Sequence, residues 1–290
     1  MNASTAIRRS SSKLYVPAMA GGGALVVWLA GRGAHLALAL TVAAAIALSF
    51  AAERCAPYDP SWNDDHHDRT RDMIHALVNE TLNLASVAAL PLVASSLVVA
   101  DVWPDTWPFP LQVAGAVVVF DAGITLAHWA SHRNRWLWSF HAVHHSVTRF
   151  YGLNGLMKHP IHQAVEMTAG VAVLVAMGLP QDVAVALAAL TVLQLLLQHS
   201  NVDYASRRMG NWWALNGGHR LHHLSEPGKG DTNFGLYTLI WDRLLGTYTP
   251  ARTRPTVTSA DIGVTGRPGY PSAYTSQLAQ PFRDLAGEAR

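Results

Sequence analysis

The stretch SHRNRWLWSFHAVHHS, residues 131–146, decides the fold, because it places a run of histidines directly after the apolar segment 109–130. His128 and His132 are four residues apart, so both rings leave one face of a helix. In HAVHH, at 141–145, the histidines are spaced i, i+3, i+4 and are predicted to stack on one face. The pattern predicts a metal site at the end of a membrane helix.

The composition also favours a membrane protein. Half of the 290 residues are hydrophobic and 14% are charged, against about 25% charged in an average soluble domain. The formal net charge of +2 gives no strong basic field, so nucleic acid is not expected as a partner. Cys55 is the only cysteine, which excludes a disulfide or a CxxC pair within the chain. Any metal site must therefore use imidazole and carboxylate.

Several apolar segments approach the length of about 20 residues that a helix needs to cross a bilayer. They are residues 14–30, 35–52, 73–102, 109–130, 165–179 and 183–198. The last two are short and separated by ProGlnAsp, a pattern typical of a helical hairpin that need not cross completely. The sequence predicts an all-α integral membrane helical bundle of about four to six membrane helices, with a cytoplasmic helical cap carrying a histidine-rich dimetal site.

Charge distribution predicts the orientation of these segments. With the N-terminus in the cytoplasm, the basic residues fall inside, and only Arg32 lies outside. The loops 101–108 and 180–182 carry no Lys or Arg. We therefore expect the histidine clusters, and with them the active site, on the cytoplasmic side. The Ala- and Arg-rich composition with short loops favours the bacterial inner membrane.

A second histidine cluster repeats the spacing of the first. HRLHH at 219–223 has the same i, i+3, i+4 pattern, and His199 ends the last apolar segment. So many imidazoles close to hydrocarbon would be costly to desolvate without partners. Nine exceed the needs of one ion, so two ions with four or five nitrogen ligands each are expected. Imidazole suits iron, zinc, copper and nickel, which leaves the metal open.

The remaining six histidines lie outside these clusters. Four of them stand alone or in polar loops and are expected to be ordinary hydrogen-bonding side chains: His35, His66, His67 and His75. His159 and His162, in KHPIH, are left undecided between a structural role and a role near the metals or the substrate.

Carboxylates and one amide are candidates to support the ligands. Asp121 lies seven residues before His128, on the same helix face and about 10 Å deeper. A carboxylate at that depth is a functional candidate, with a structural hydrogen bond as its alternative. Asp203 and Asn201 follow His199 in QHSNVD and are further candidates. We assign catalytic support to these three residues; Asp231 is a fourth possibility, whereas Glu166 and Glu80 are considered less well placed.

Five motifs together resemble a known family. HWASHR, HAVHHS, QHSNVD, HRLHH and DTNFGLYTLIWDRLLGTY are similar to motifs of the fatty acid hydroxylase and sterol desaturase superfamily, which comprises integral membrane di-iron enzymes. The resemblance covers roughly residues 73–250. It implies two iron ions, with zinc an alternative in isolated protein, dioxygen as co-substrate, and a separate electron donor of reductase, ferredoxin or cytochrome type. The implied metal ligands are His128, His132, His141, His144, His145, His199, His219, His222 and His223.

The resemblance implies a membrane-bound oxygenase that hydroxylates a fatty acyl, sterol-like or other membrane lipid. Lipid desaturation at the same di-iron site is the nearest alternative. A metal-binding or transport protein is the alternative from another class, but it predicts histidines along several helices rather than at one end. The lipid, the electron donor and the oligomeric state are not predicted.

The chain is divided into three parts on this basis. Residues 1–72 are predicted to form an N-terminal membrane hairpin and cytoplasmic loop, 73–250 the hydroxylase-like catalytic domain, and 251–290 a polar, loosely ordered tail. Within the catalytic part, Trp241, Asp242 and Gly246 are expected to lock the cap. A set of basic residues is proposed to dock an acidic electron carrier, with solvated surface charge as the alternative: Arg207, Arg208 and Arg220.

Overall fold

The structure, a computed structural model, describes residues 3–99, 102–204, 208–254 and 256–287. It is all-α within these ranges, where the only β pairing is a few isolated bridges, so the predicted fold class is confirmed. The helices are α1 (Ala3–Ala30), α2 (His35–Cys55), α3 (Arg69–Leu97), α4 (Phe109–Ser131), α5 (Arg135–His145), α6 (Pro160–Ala176), α7 (Gln181–His199), α8 (Asn216–His222), α9 (Ile240–Leu245) and α10 (Tyr274–Ala286).

Local sequence explains where the helices around the histidines begin. α4 has Pro110 in its first turn, where a missing N–H costs nothing. Before α5, the side chain of Asn134 accepts hydrogen bonds from the N–H groups of Trp136 and Leu137, which caps the helix. Pro160 begins α6, and the His159 ring accepts a hydrogen bond from the N–H of Ile161. His159 is thus a helix cap in this structure.

Five helices are long and apolar enough to span a membrane. They are Ile7–Ala30, His35–Cys55, Arg69–Leu92, Phe109–Ser131 and Gln181–His199. Large apolar side chains remain exposed on them, such as Leu36 (76%) and Leu92 (81%), as expected of helices that face lipid. α6 is shorter, and it packs mainly against α4 rather than against α7, so the predicted hairpin of the two short segments is not a packed pair in the structure. The predicted number of four to six membrane helices is confirmed.

Glycine allows α4 and α6 to pack closely. A Cβ atom at Gly123 of α4 would lie 2.1 Å from the carbonyl oxygen of Ala169, and one at Gly170 of α6 would lie 2.6 Å from the Phe120 ring. Only a residue without a side chain fits at either position. This contact fixes the depth of α6 against the helix that carries His128.

Contacts between residues at helix ends hold one end of several helices together beside the histidines. Arg8 near the start of α1 pairs with Asp203 after α7 at 3.2 Å. The N–H of Tyr58, after α2, donates to the carbonyl of Asn201 at 2.7 Å. Arg149, after α5, pairs with Asp68, just before α3, at 2.6 Å. The helices therefore alternate in direction, and the side of the membrane on which this end lies stays a prediction.

A cap of short elements covers this end of the bundle. It contains α5, α8, α9 and a 3₁₀ helix at Gly152–Leu156. Residues 251–290 were expected to form a loosely ordered tail, but the structure packs part of this segment against the cap. Val257 and Ile262 are buried against the cap, and α10 is docked by Gln277. α10 does carry apolar residues at helical spacing, but Pro281 and the prolines before the helix obscured this signal. The three-part division of the chain itself stays a prediction.

Candidate metal centre

The nine predicted histidine ligands form two adjacent groups. Five belong to group A: His128, His132, His141, His145 and His222. Four belong to group B: His144, His199, His219 and His223. Within each group, the candidate ligand atoms all lie within 4.8 Å of one another. All nine residues are brought together, although their assignment as ligands stays a prediction.

Each HxxHH motif contributes to both groups. His144 and His145 are neighbours on α5, yet one belongs to group B and the other to group A. His222 and His223, at the end of α8, are divided in the same way. Successive helical residues point about 100° apart, so one short helix can serve two ions. The prediction that each motif uses a single face was therefore too simple.

The geometry of group A fits a shared cation. His128 Nε2 lies 2.9 Å from His222 Nε2 and 3.1 Å from His141 Nε2. The Nδ1 atoms of His128 and His222 face the carbonyl oxygens of Phe234 and Thr232, which can only accept hydrogen bonds. These rings must carry their proton on Nδ1, which leaves a lone pair on each Nε2. Two lone pairs this close repel each other unless a cation lies between them.

Distances elsewhere in the two groups agree with this interpretation. His145 Nε2 lies 3.1 Å from the Nε2 atoms of His132 and His141. In group B, His219 and His223 face each other at 3.1 Å between Nε2 atoms. Two nitrogens that each lie about 2.0–2.1 Å from one ion, at a right angle, are about 2.9 Å apart. The histidines therefore fit the metal ions that the family implies.

Burial keeps these imidazoles in the neutral form that binds metals. Desolvation holds the pKa of each cap histidine well below its ordinary value, and the repulsion of neighbouring histidines adds to this effect. The residues concerned are His141, His144, His145, His219, His222 and His223. A neutral ring binds a cation without first losing a proton.

Hydrogen bonds outside the centre orient several of the rings. His144 Nδ1 donates to the carbonyl of Met157 at 3.1 Å. His132 Nδ1 donates to Asp231 Oδ1 at 2.9 Å, and this contact lowers the pKa of Asp231 below its usual value. Partners of this kind fix the ring orientation of metal-binding histidines. Asp231, which the sequence only suggested, is thus the carboxylate in direct contact with a histidine of group A.

Asp121 contacts a loop that orients a histidine, and not a histidine itself. Its carboxylate accepts hydrogen bonds from the backbone N–H groups of three consecutive residues and from one hydroxyl; the donors are Leu236, Tyr237 and Thr238, at 2.8–3.1 Å. Phe234, two residues before this segment, accepts the hydrogen bond of His128. Asp121 therefore holds the loop that orients a ligand. These contacts agree with the alternative given for Asp121, a structural hydrogen bond, and its catalytic assignment stays a prediction.

Asp242 holds the same loop from the cap. Its two oxygens accept hydrogen bonds from the N–H groups of Phe234 and Gly235 at 2.7 and 2.9 Å. The hydroxyl of Thr247 donates to it at 2.7 Å. Gly246 ends α9 with φ of 73°, in the left-handed region that favours glycine. The geometry agrees with the expectation that this segment locks the cap.

The side chains of Asn201 and Asp203 form their hydrogen bonds with residues outside the two histidine groups. The side-chain amide of Asn201 donates to the carbonyl of Asp59 and to Asn63, which ties α7 to the loop after α2. Asp203 is half-exposed and pairs with Arg8. Among the described residues, neither side chain bonds to a histidine. Their catalytic assignment stays a prediction, and the contacts indicate a structural role.

A buried ionic cluster beside group A was missed in the sequence. Lys158 pairs with Glu166, and the His162 ring contacts Ser131 Oγ at 2.9 Å. His141, His162 and Glu166 each offer a ligand atom within 4.8 Å of the others. Glu166 was considered less well placed for the metals, but the packing of α6 brings it toward His141 of α5. Its spacing of four residues from His162 was the available signal.

The basic residues proposed to dock a carrier differ in their surroundings. Arg208 is exposed. Arg220 is buried, with its guanidinium 3.7 Å from the centre of the Tyr58 ring. It therefore does not face a carrier. Arg207 lies outside the described residues.

Comparison with known proteins places the chain in a family. A sequence model described as fatty acid hydroxylase matches residues 113–247, which include every histidine of groups A and B. The ornithine lipid hydroxylase OlsE of Rhizobium tropici is 33% identical over 241 residues, which cover 79% of this chain and 71% of that protein. The chain belongs to the fatty acid hydroxylase family.

Membership and geometry agree on the class of protein. The family match, the relative and the five apolar helices support a membrane-bound enzyme that hydroxylates a lipid. No solved structure matches the chain.

Proposed function

We propose that this protein hydroxylates a membrane lipid with two iron ions, dioxygen, and electrons from a separate donor. The observation that carries the proposal is the arrangement of nine imidazoles into a group of five and a group of four. Group A would hold one ion and group B the other. The bound ions would supply the oxidising chemistry, and iron is preferred over zinc because hydroxylation is an oxidation.

The protein surrounds the two groups with aromatic rings that exclude water. Phe150 stacks on His199 with ring centres 5.5 Å apart and lies 4.9 Å from His223. Phe234 lies 5.0 Å from His132 on the other side. A dry, preorganised site strengthens electrostatic interactions and limits side reactions with solvent. The reacting carbon of a lipid would enter such a site from the bilayer side.

The relative suggests the type of lipid. OlsE of Rhizobium tropici is named an ornithine lipid hydroxylase. We propose a substrate of the same type, a bacterial membrane lipid with an amino-acid headgroup, for this chain. The positive-inside pattern of the sequence supports placing the site on the cytoplasmic side of the inner membrane. An electron donor of reductase, ferredoxin or cytochrome type would then reach the cap from the cytoplasm.

Product mass tests this function. Purified protein, loaded with iron and reconstituted with a chemical reductant, dioxygen and bacterial lipid extract, is expected to produce a lipid 16 mass units heavier. The control is the same protein without reductant. A product 2 mass units lighter would establish desaturation instead. Unchanged lipids in iron-loaded, reduced samples would contradict the proposed function.

A further inference from the structure

A pocket of about 250 Å³ opens between the ends of α2 and α3 on the side of the molecule that carries the histidines. Its lining combines two kinds of surface. Phe50 and Met73 are apolar, whereas Glu53, Arg54 and Arg69 are ionisable. A pocket with both kinds of wall, at the ends of two membrane helices, suits the junction of a lipid headgroup and its chains.

Two of the three arginines that line the pocket, Arg54 and Arg69, are free to bind an anion. Both side chains are exposed, and neither forms an ion pair with another described residue. Arg149, which also lines the pocket, is by contrast fully engaged with Asp68 and the carbonyl of Trp62. Arg54 and Arg69 are therefore the cationic groups left for a ligand.

Glu53 provides a complementary acceptor. Only 3% of the residue is exposed, and its Oε1 accepts hydrogen bonds from the N–H groups of Gly152 and Asn201. Oε2 accepts no hydrogen bond from the part of the chain that the structure describes. Because Glu53 lines the pocket, this oxygen is available to a ligand that donates a hydrogen bond to it. A protonated primary amine in a lipid headgroup both donates to this oxygen and compensates the charge of a carboxylate, which a headgroup hydroxyl does not.

The pocket is connected to the metal centre through stacked rings. Trp62 lines the pocket and stacks on Phe150 with ring centres 5.7 Å apart. Phe150 in turn stacks on His199 of group B. A headgroup in the pocket would lie two aromatic rings from the metals. It would thereby fix the position of the lipid relative to group B.

We propose that this pocket binds the zwitterionic headgroup of the lipid substrate. The amine would donate to Glu53, and a carboxylate or phosphate would face Arg54 and Arg69. This proposal rests on the proposed function, because it assumes a lipid substrate. Ornithine lipid and phosphatidylethanolamine share this chemistry, so the experiment compares them.

Native mass spectrometry of the full-length protein tests binding. Ornithine lipid, phosphatidylethanolamine and phosphatidylglycerol are added separately to purified protein. The double variant Arg54→Gln/Arg69→Gln is expected to bind the first two lipids about tenfold more weakly or worse. The matched control is Arg9→Gln/Arg32→Gln, which removes the same charge from two exposed positions outside the pocket. Equal binding by both double variants would overturn the proposal.

Two further variants separate the parts of the site. Glu53→Gln keeps an acceptor for the N–H groups of Gly152 and Asn201. It is expected to weaken the binding of lipids with a free amine but not the binding of phosphatidylglycerol. Met73→Trp fills the pocket without changing its charge and is expected to weaken the binding of all three lipids. Unchanged affinity of Met73→Trp would show that lipids bind elsewhere.

Turnover distinguishes a substrate site from a site for another lipid. If the pocket holds the substrate, Arg54→Gln/Arg69→Gln raises KM for ornithine lipid about tenfold and changes kcat little. An unchanged KM, with lost binding of phosphatidylethanolamine alone, would overturn the substrate assignment. Arginine-dependent binding without any oxidised lipid in the wild type would contradict the proposed function instead and leave the pocket standing.

Discussion

At the scale of single residues, the pairs of adjacent histidines make a sharp prediction. His144→Ala and His145→Ala remove neighbouring rings, but one belongs to group B and the other to group A. Each variant is expected to retain about one tightly bound iron per chain, and the two should retain different ions. Iron analysis with Mössbauer spectroscopy of enriched samples checks this. Identical spectra from the two variants would contradict the division of the motif.

Asp121 tests the orientation of a ligand from a distance. Asp121→Asn replaces one acceptor oxygen with an N–H₂ group that faces backbone donors, so at least one bond at Thr238 is lost. We expect a loss of about 2–3 kcal/mol in unfolding free energy, because hydrogen bonds to charged groups contribute about 1.5–3 kcal/mol each. Activity should fall as the loop at Phe234 shifts. Asp105→Asn, at an exposed loop position, is the control. Equal melting temperatures of Asp121→Asn and Asp105→Asn would contradict the role of Asp121 in holding this loop.

The residues of the centre were largely predictable, whereas their partners were not. Spacing and resemblance identified all nine histidines, since ligands on short helices leave a periodic pattern. Asp121 was found by its depth, but its bonds reach residues 236–238, more than 110 positions along the chain. Such contacts leave no local signal. Glu166 was missed for the same reason, because only the packing of α6 brings it near His141.

At the scale of elements, the close contact between α4 and α6 constrains the packing beside the centre. Gly123→Ala would place a methyl group 2.1 Å from the carbonyl of Ala169, so the helices must separate. Gly115→Ala on the same helix meets nothing closer than 4.0 Å. We expect Gly123→Ala to lower the melting temperature in detergent by several degrees, and Gly115→Ala to be neutral or stabilising. Similar melting temperatures for both variants would contradict the predicted packing.

α10 was the element that the sequence did not predict. α10 contains Pro281 and follows a proline-bearing stretch, and these prolines obscured its helical pattern in the sequence. The structure docks it through Gln277, which contacts the His75 ring at 2.9 Å and donates to Ser146 at 2.9 Å. Gln277→Ala leaves these buried groups unpaired and is expected to cost about 1–3 kcal/mol of stability. Arg283→Ala, exposed on the same helix, should cost little, and thermal unfolding of the two variants compares them.

At the scale of the whole molecule, the orientation in the membrane can be tested with the native cysteine. Cys55 is exposed at the end of α2 that lies beside the cap. With the cap in the cytoplasm, a membrane-impermeant maleimide should label Cys55 in inverted vesicles but not in intact spheroplasts. Arg32→Cys in a Cys55→Ser background should show the opposite pattern. Labelling of Cys55 from outside would contradict the proposed side.

The layout of the membrane helices could be predicted because hydropathy and charge act on each segment separately. The cap could not be predicted in the same way. Its irregular backbone is held by polar side chains from the membrane helices; for example, Gln194 of α7 donates to the carbonyls of Ala214 and Leu236. These pairings satisfy backbone groups that would otherwise be unpaired near the bilayer. They depend on the three-dimensional arrangement of the whole chain.

The central claim is that nine imidazoles hold two metal ions. Iron K-edge X-ray absorption on anaerobically loaded, purified protein, combined with iron and protein quantification, tests it most directly. We predict two irons per chain, nearest neighbours that are nitrogen or oxygen at about 2.0–2.2 Å, and the outer scattering pattern of several imidazoles per iron. A single iron per chain at saturation, or ligands without the imidazole pattern, would contradict the account.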